Sequence, residues 1–318
     1  MDKKEKITVS QNFTNKANEI TTEKFEIKDW TFVFQKSGIL PSGDLDQLVD
    51  KLKLQGIPDI VYGKNFARLI NNKKNFVYEV TPQDSLSFVN FEKRNQKYKQ
   101  DYDKSEDTEV INVLPEELKI KQAEHWKNKK VAEDADIRVL EKISDWTFST
   151  PYKGTVREFT QKPKESLDDI TVGVEQLKIS DSKIYIEKTK EDIPLGNLTP
   201  QNPIKWYNEY VLFEDELGDC GLSQSTFRFR CMGDCFFGLL RYYLRIDDVI
   251  VRIYDTRIYH EYDKDYILRE FSVRENTFDE LKKKGFKFTS EFITDHRQSD
   301  IIYPQLDSRM VFKEKVFF

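Results

Sequence analysis

The chain has 318 residues, of which 38% are hydrophobic and 34% charged, and its 13% aromatic content is enough for a sizeable core. Lys and Arg total 51 against 56 Asp and Glu, and the net charge of −5 argues against a dedicated nucleic-acid binder. Three cysteines cannot form a closed disulfide framework, and no uncharged apolar run approaches the ~20 residues that span a bilayer, so we expect a cytoplasmic protein, with the nucleus as a second location.

The N-terminal region begins with a polar segment. Residues 1–24 are rich in Lys, Asn, Thr and Glu, which predicts a mobile tail. The alternation of apolar and polar residues over Phe25–Phe34 predicts a strand, and Pro41–Asp44 carries the capping signals of a helix that reaches about residue 54. Two further strands are predicted over Phe66–Ile70 and Asn75–Val80.

Residues 91–113 interrupt this pattern, because they are mostly charged and amide side chains and predict a solvated insertion. Beyond Asp145, apolar alternation and aromatic or β-branched runs predict strands. In chain order these strands cover 146–150, 172–179, 182–187, 227–231, 236–244, 249–254 and 266–271. Thr277 and Glu280 form a capping-box pattern, which predicts a short helix that ends at Gly285.

Runs of strands with few helices favour an α+β fold over alternating strand–helix units. We expect mainly antiparallel β-sheets in a sandwich-like arrangement, with a few short helices. A single domain is predicted over residues 25–312, preceded by the tail at 1–24 and followed by a short C-terminal end at 313–318.

The common catalytic motifs are missing from the sequence. There is no glycine-rich phosphate loop, no nucleophile elbow and no HExxH or paired CxxC pattern. Cys231 and Cys235 are best interpreted as buried small side chains, and the acidic run Glu214–Asp219 as a solvated turn. The run His260–Asp265 leaves two interpretations open, a hard-cation site or a polar, hydrogen-bonded sheet rim. We expect no catalytic residues, no cofactor and no metal.

Charged residues intersperse with the strand residues of the C-terminal half. They are Arg252, Asp255, Arg257, Arg269, Glu270, Arg274 and Glu275. Such a row predicts either an ion-paired face of the sheet or a recognition face for a protein partner, because paired charges and aromatic side chains suit docking.

Several long blocks resemble the TIPRL (TOR signalling pathway regulator-like, TIP-forty-one) family. The blocks are Leu212–Leu217, Leu244–Asp247, Val251–His260 and Leu268–Glu270, with Asp145–Thr155, Asn202–Tyr207 and, more loosely, the region 57–65. The resemblance covers roughly residues 25–275 and does not extend to the polar tail, the insertion or the segment after Glu275.

This resemblance implies a non-enzymatic protein that binds the catalytic subunits of type 2A-like serine/threonine phosphatases, namely types 2A, 4 and 6, and modulates their activity and assembly. It also implies a cleft for the phosphatase C-terminal tail and, in TOR signalling, a phosphatase-associated partner protein. Partners of nucleic acid or membrane are not expected. The implied partner-binding residues are Asp84, Ile193, Ile253 and Asp255.

Each implied binding residue has an ordinary structural alternative. Asp84 follows Pro82 and could cap a short helix, Ile253 could belong to the core, and Asp255 could pair with Arg257 within the chain. Two alternatives also stand for the whole protein. One is a structural interaction protein recruited into a larger assembly through its tail, insertion or C-terminal region, and the other is a metal-dependent hydrolase built on His260, Glu261 and Asp263.

Overall fold

The computed structural model describes residues 20–52, 54, 57–87, 152–158 and 184–318. The predicted strands at 146–150 and 172–179, the insertion at 91–113 and the first nineteen residues of the predicted tail lie outside the described residues.

Five antiparallel strands form the smaller sheet, and the helices α1 (Ser42–Leu52) and α2 (Pro82–Ser87) accompany it. In spatial order the strands are β1 (Thr21–Ile27), β2 (Trp30–Lys36), β4 (Phe66–Asn71), β5 (Phe76–Val80) and β6 (Thr155–Glu158). The predicted strands at 66–70 and 75–80 and the first predicted helix are therefore confirmed.

The predicted strand over Phe25–Phe34 is wrong in one respect, because it is a hairpin of β1 and β2 with a turn at Lys28 and Asp29. Lys28 adopts a φ of 52°, a left-handed conformation that glycine usually supplies. Because the turn contains neither glycine nor proline, the sequence does not mark it. Strand β1 also begins at Thr21, which corrects the end of the predicted tail at residue 24, since Thr21 and Thr22 pair with Lys36 and Gln35.

Eight antiparallel strands form the larger sheet. In spatial order they are β3 (Ile60–Val61), β8 (Trp206–Asp215), β9 (Gly221–Cys231), β10 (Cys235–Ile246), β11 (Ile250–Glu261), β12 (Tyr266–Thr277), β13 (Asp307–Phe317) and β7 (Tyr185–Lys188). The α+β prediction with antiparallel sheets is confirmed. The predicted C-terminal end at 313–318 is corrected, because these residues continue β13 and bury Val316 and Phe318 in the core.

The connection from β12 to β13 carries three short helices, α3 (Phe278–Lys283), α4 (Ser290–Thr294) and α5 (Gln298–Ile302), and a 3-10 turn at Tyr303–Gln305. The predicted capping box is present, since the Thr277 hydroxyl accepts from the Glu280 amide and the Glu280 carboxylate accepts from the Thr277 amide. The helices α4 and α5 have no counterpart in the sequence prediction.

The main core lies between the two sheets and is dominated by aromatic rings. Phe32 of the smaller sheet packs 4.9 Å from Phe229 of the larger one, measured between ring centroids, and Trp30 packs 5.0 Å from Phe236. Because successive side chains of a strand point to opposite faces, only alternate residues of β9, β10 and β11 enter this core. The others form the outer face of the eight-stranded sheet.

Candidate partner-binding surface

The outer face of the eight-stranded sheet carries Ile253, Asp255, Arg257 and Tyr259 at successive alternate positions of β11. Two small apolar clusters, separate from the main core, cover parts of this face. One cluster surrounds Ile253 beneath the helices between β12 and β13, and the other surrounds Tyr259 beneath the connector that precedes β8.

Asp255 forms the central ion pair of the outer face. Its two carboxylate oxygens accept hydrogen bonds of 2.7 Å each from Nε and Nη2 of Arg241, directly opposite on β10. Arg257 lies further away, with 3.7 Å between its nearest nitrogen and the carboxylate. The Asp255 side chain is 0% exposed and that of Arg241 is 6% exposed, so this bidentate pair is almost fully removed from solvent.

Ile253 is also buried, at 1% exposure. It belongs to the outer cluster formed by Tyr243 and Val251 of the sheet and by side chains of the β12–β13 connection, namely Phe278, Leu281, Phe292, Ile302 and Leu306. The residue thus has the core environment that was the structural alternative for it.

Ile193 lies in the second outer cluster with Met232, Cys235, Tyr259 and Leu268. Its position precedes the 3-10 turn Leu195–Asn197, within the proline-containing connector that leads towards β8. Ile193 is therefore on the same face of the sheet as Ile253 and Asp255.

Asp84 lies beside the smaller sheet, in the first turn of α2. Its amide donates to the Thr81 hydroxyl at 3.0 Å, so Thr81 caps the helix and Asp84 is free to use its carboxylate elsewhere. That carboxylate accepts from the Thr155 hydroxyl at 2.8 Å and from Arg157 at 3.1 Å, both on β6. The Asp84 and Arg157 side chains are 29% and 33% exposed, so solvent and partners reach them.

The structure therefore brings three of the four expected residues onto one face and leaves the fourth apart. Ile193, Ile253 and Asp255 share the outer face, and all three are buried there. Asp84 is partly exposed at the end of the smaller sheet. The hydrogen bonds and the ion pair that Asp84 forms within the described ranges go to Thr81, Ser87 and β6, not to the other three residues.

Sequence reasoning missed Asp300 and Tyr303, which reach the outer face from α5 and the turn after it. Asp300 forms ion pairs of 2.7 Å with both Arg228 and Arg241. The Tyr303 ring lies 4.7 Å from the guanidinium of Arg241, and its hydroxyl accepts from Arg257. No local sequence signal could have found them, because both residues reach the arginines from a segment that is distant in the chain.

The candidates for redox or metal chemistry lie elsewhere. Cys231 and Cys235 are buried, and burial raises the pKa of the Cys235 thiol to about 12. His260 is not on a sheet rim but inside the aromatic core, where Trp30 Nε1 donates to its Nε2 at 3.1 Å and its Nδ1 bonds the Tyr266 carbonyl at 2.8 Å. Burial lowers the pKa of His260 to about 4, so the ring is neutral near pH 7.

Within the described ranges, no group of three or more His, Cys, Asp or Glu side chains is arranged to hold a metal ion. No helix there is long and apolar enough to cross a membrane.

The fold and its outer face define an antiparallel two-sheet sandwich whose functional candidates are packing and ion-pairing side chains. The family model described as the TIP41-like family matches residues 60–282, and the chain belongs to this family. The resemblance predicted from the sequence blocks is thereby confirmed.

Relatives match over most of the chain. A protein named TIP41-like protein from Dictyostelium discoideum is 32% identical over 268 residues, which is 84% of this chain and 84% of the relative. The Homo sapiens protein of the same name is 32% identical over 79% of this chain and 76% of its own length. A Saccharomyces cerevisiae protein named type 2A phosphatase activator TIP41 is 31% identical over 81% of this chain and 64% of its own length.

Proposed function

We propose that this protein is a non-enzymatic regulator that binds the catalytic subunit of type 2A-like serine/threonine phosphatases. The observation that carries the proposal is similarity over about four-fifths of the chain to two fungal relatives, both named type 2A phosphatase activators. Both similarities extend over more of the chain than the residues 60–282 of the family match, so they include regions outside it.

The proposal has finer parts that follow from the sequence resemblance. The partners are the catalytic subunits of types 2A, 4 and 6, including their C-terminal tails, together with a phosphatase-associated protein of the TOR pathway. The protein works in the cytoplasm, and in the nucleus as a second location, and modulates phosphatase activity and assembly.

Asp84 is the proposed residue best placed for direct contact. Its carboxylate is partly exposed and is held by Thr155 and Arg157, so it is oriented before a partner arrives. A fixed, partly exposed carboxylate can accept charge-assisted hydrogen bonds from a basic side chain without the cost of ordering a free side chain. Glu79 also pairs with Arg157 at 2.7 Å, which keeps that arginine in place if Asp84 turns to the partner.

Ile193, Ile253 and Asp255 have a different status in the proposal. An apolar anchor beside a carboxylate is a plausible hot spot, because the first displaces water and the second orients the partner. Since all three are covered in this conformation, their direct contact with a phosphatase requires that a covering segment moves.

The runner-up is a structural interaction protein recruited through its C-terminal region. The observation that favours it is a set of exposed apolar side chains on the neighbouring strands β7 and β13, where Tyr185, Ile186 and Val311 are each more than half exposed. Exposed apolar side chains on an edge strand are typical of pairing with another chain.

The deciding experiment is a binding assay between the purified full chain and purified catalytic subunits of types 2A, 4 and 6. We expect a stable complex with at least one of them, and weaker binding when its C-terminal tail is deleted. The same preparation is assayed for phosphoester and peptide hydrolysis, with its metal content measured. Turnover that is lost on His260→Ala would contradict a non-enzymatic role, and absence of any complex would leave the structural interaction protein.

A further inference from the structure

The segment 290–305, called the strap, crosses the outer face of the eight-stranded sheet between α3 and β13. It consists of α4, α5 and the 3-10 turn that follows α5. The strap lies after the residues 60–282 that match the family. It covers the positions beside Ile253 and Asp255, which the proposed function assigns to partner binding.

Charge holds one end of the strap to the sheet. Asp300 bridges Arg228 and Arg241 with ion pairs of 2.7 Å each, and its side chain is still 42% exposed. Neither arginine depends on this contact alone, because Arg228 also pairs with Glu209 at 3.0 Å and Arg241 with Asp255. The sheet therefore keeps its own ion pairs when the strap leaves.

Tyr303 is the second contact of the strap with the arginines. Its ring centroid lies 4.7 Å from the guanidinium of Arg241, 5.5 Å from that of Arg257 and 4.5 Å from that of Arg274. Cation–π contacts of this kind are worth about 0.5–1 kcal/mol each at exposed sites and more where water is excluded. Asp300 and Tyr303 together contact four arginines of the outer face, Arg228, Arg241, Arg257 and Arg274.

The apolar contacts of the strap form a cluster of their own. Phe292 and Ile302 of the strap join the sheet residues around Ile253 and the α3 residues Phe278 and Leu281 in one cluster, which is distinct from the main core between the two sheets. Opening the strap would remove its part of the cover over Ile253 and leave the main core closed. A segment with a separate small cluster and short helices has the features of a local unfolding unit.

We propose that the strap is an intramolecular cover of the partner-binding face, and that the phosphatase binds after the strap has been displaced from Ile253 and Asp255. This inference rests on the proposed function, since it concerns the same site. If only the open form binds, the apparent affinity is the intrinsic affinity multiplied by the open fraction. Weakening the strap then strengthens binding without any new contact to the partner.

The test is Asp300→Lys, which removes the two ion pairs that join Asp300 of the strap to Arg228 and Arg241 of the sheet and puts a cation beside these arginines. The matched control is Glu216→Lys, at an exposed residue that follows β8, outside the strap, with the same charge change and no ion pair in the described part of the chain. A second variant, Tyr303→Ala, removes the aromatic contact without changing the charge. Thermal unfolding first establishes that each variant is folded.

Strap opening is measured separately from phosphatase binding. Ile253→Cys places a thiol under the strap, and its rate of reaction with a small thiol reagent reports the open fraction. The native cysteines at 220, 231 and 235 are buried, and a parallel measurement on the chain without the new cysteine subtracts their reaction. Affinity is measured with Ile253 intact and a purified type 2A catalytic subunit.

We expect Asp300→Lys and Tyr303→Ala to raise both the thiol reaction rate and the affinity, by about three- to tenfold, while Glu216→Lys changes neither. A faster thiol reaction with unchanged or weaker affinity would overturn the cover, even though the proposed function would stand. A thiol rate that neither variant changes would also overturn it. If the wild-type chain and all variants fail to bind the phosphatase while the thiol rates respond, the proposed function has failed and the cover of this site fails with it.

Discussion

The two faces of the eight-stranded sheet use the same strands for different purposes. On the inner face, Phe229 and Phe236 pack into an aromatic core shared with the smaller sheet. On the outer face, arginines and carboxylates pair across the strands, and two small apolar clusters lie under covering segments. Adjacent residues of β11 therefore have different roles, as Tyr254 faces the core and Asp255 faces Arg241.

This difference shows where a change in sequence affects the fold and where it affects recognition. Truncating a side chain of the aromatic core lowers the free energy of unfolding, because the close-packed neighbours relax only in part around the cavity that is left. An ion pair on the outer face fixes the orientation of its two side chains, and removing one of them leaves the other as a buried charge without its partner. Variants matched between the two faces measure how far this separation holds.

The largest expected effect is on the inner face. Phe229→Ala removes a ring in contact with Phe32 and Phe236, with centroids 4.9 and 5.5 Å away, and we expect a loss of about 3–5 kcal/mol in the free energy of unfolding. The matched variant Phe237→Ala removes the same side chain from the partly exposed outer face of β10, and we expect less than half that loss. Chemical denaturation of both variants checks the ratio, and equal losses would remove the distinction between the faces.

The next effect concerns the buried ion pair of the outer face. Asp255→Asn leaves Arg241 buried with only Asp300 as a charged partner, and we expect a loss of about 3 kcal/mol in unfolding free energy, the lower end for breaking a buried pair. Affinity for the phosphatase is measured on the folded fraction of the same sample. If stability falls and affinity is unchanged, Asp255 belongs to the fold and is not a binding residue.

A third prediction uses pH to test the inner face. Burial lowers the pKa of His260 from 6.5 to about 4. Between pH 4 and pH 6.5 the imidazole is therefore protonated in the unfolded chain and neutral in the folded chain. The contribution of this pKa shift to the free energy of unfolding is fully present above pH 6.5 and decreases as the pH drops towards 4. We expect a loss of about 2 kcal/mol by pH 5.

The control for this pH dependence is His260→Gln, which removes the titrating group. Burial raises the pKa of Asp215 to about 6, and that group acts in the opposite sense, since its folded form takes up a proton first. The difference between the wild-type and His260→Gln curves therefore isolates the imidazole. Parallel curves from pH 7.5 to 4.5 would mean that His260 does not have the lowered pKa.

Local sequence pattern predicted the parts of the fold that depend on neighbouring residues. The strand predicted over residues 227–231 lies within β9, where Phe227 and Phe229 face the core and Arg228 and Arg230 face outwards. The capping box of α3 is likewise a local signal. The hairpin at Lys28 was missed because a lysine occupies a left-handed conformation that glycine or asparagine usually marks.

The candidate site was predictable only in part, because its environment depends on distant segments. Alternation places Ile253 and Asp255 on one face but does not tell whether that face is covered, and the cover comes from residues that follow β12. The partner of Asp255 depends on the register of the hairpin between β10 and β11, whose turn at residues 247–249 sets Arg241 opposite Asp255. The position of Asp300 had no such local signal.

The smallest effect on stability is expected at Asp84, where the comparison moves from the two faces to the exposed end of the smaller sheet. Asp84→Ala removes a partly exposed ion pair, and Arg157 keeps its 2.7 Å contact with Glu79, so we expect less than about 1 kcal/mol of lost stability. If this carboxylate contacts the phosphatase directly, affinity falls about tenfold, or roughly 1.4 kcal/mol. Asp29→Ala is the control, since Asp29 is an exposed carboxylate that lies 4.0 Å from the Lys73 ammonium. Equal affinity of the two variants would exclude Asp84 from the interface, whereas a drop confined to Asp84→Ala, with both melting temperatures near the wild-type value, would place the contact there and require no movement of any covering segment.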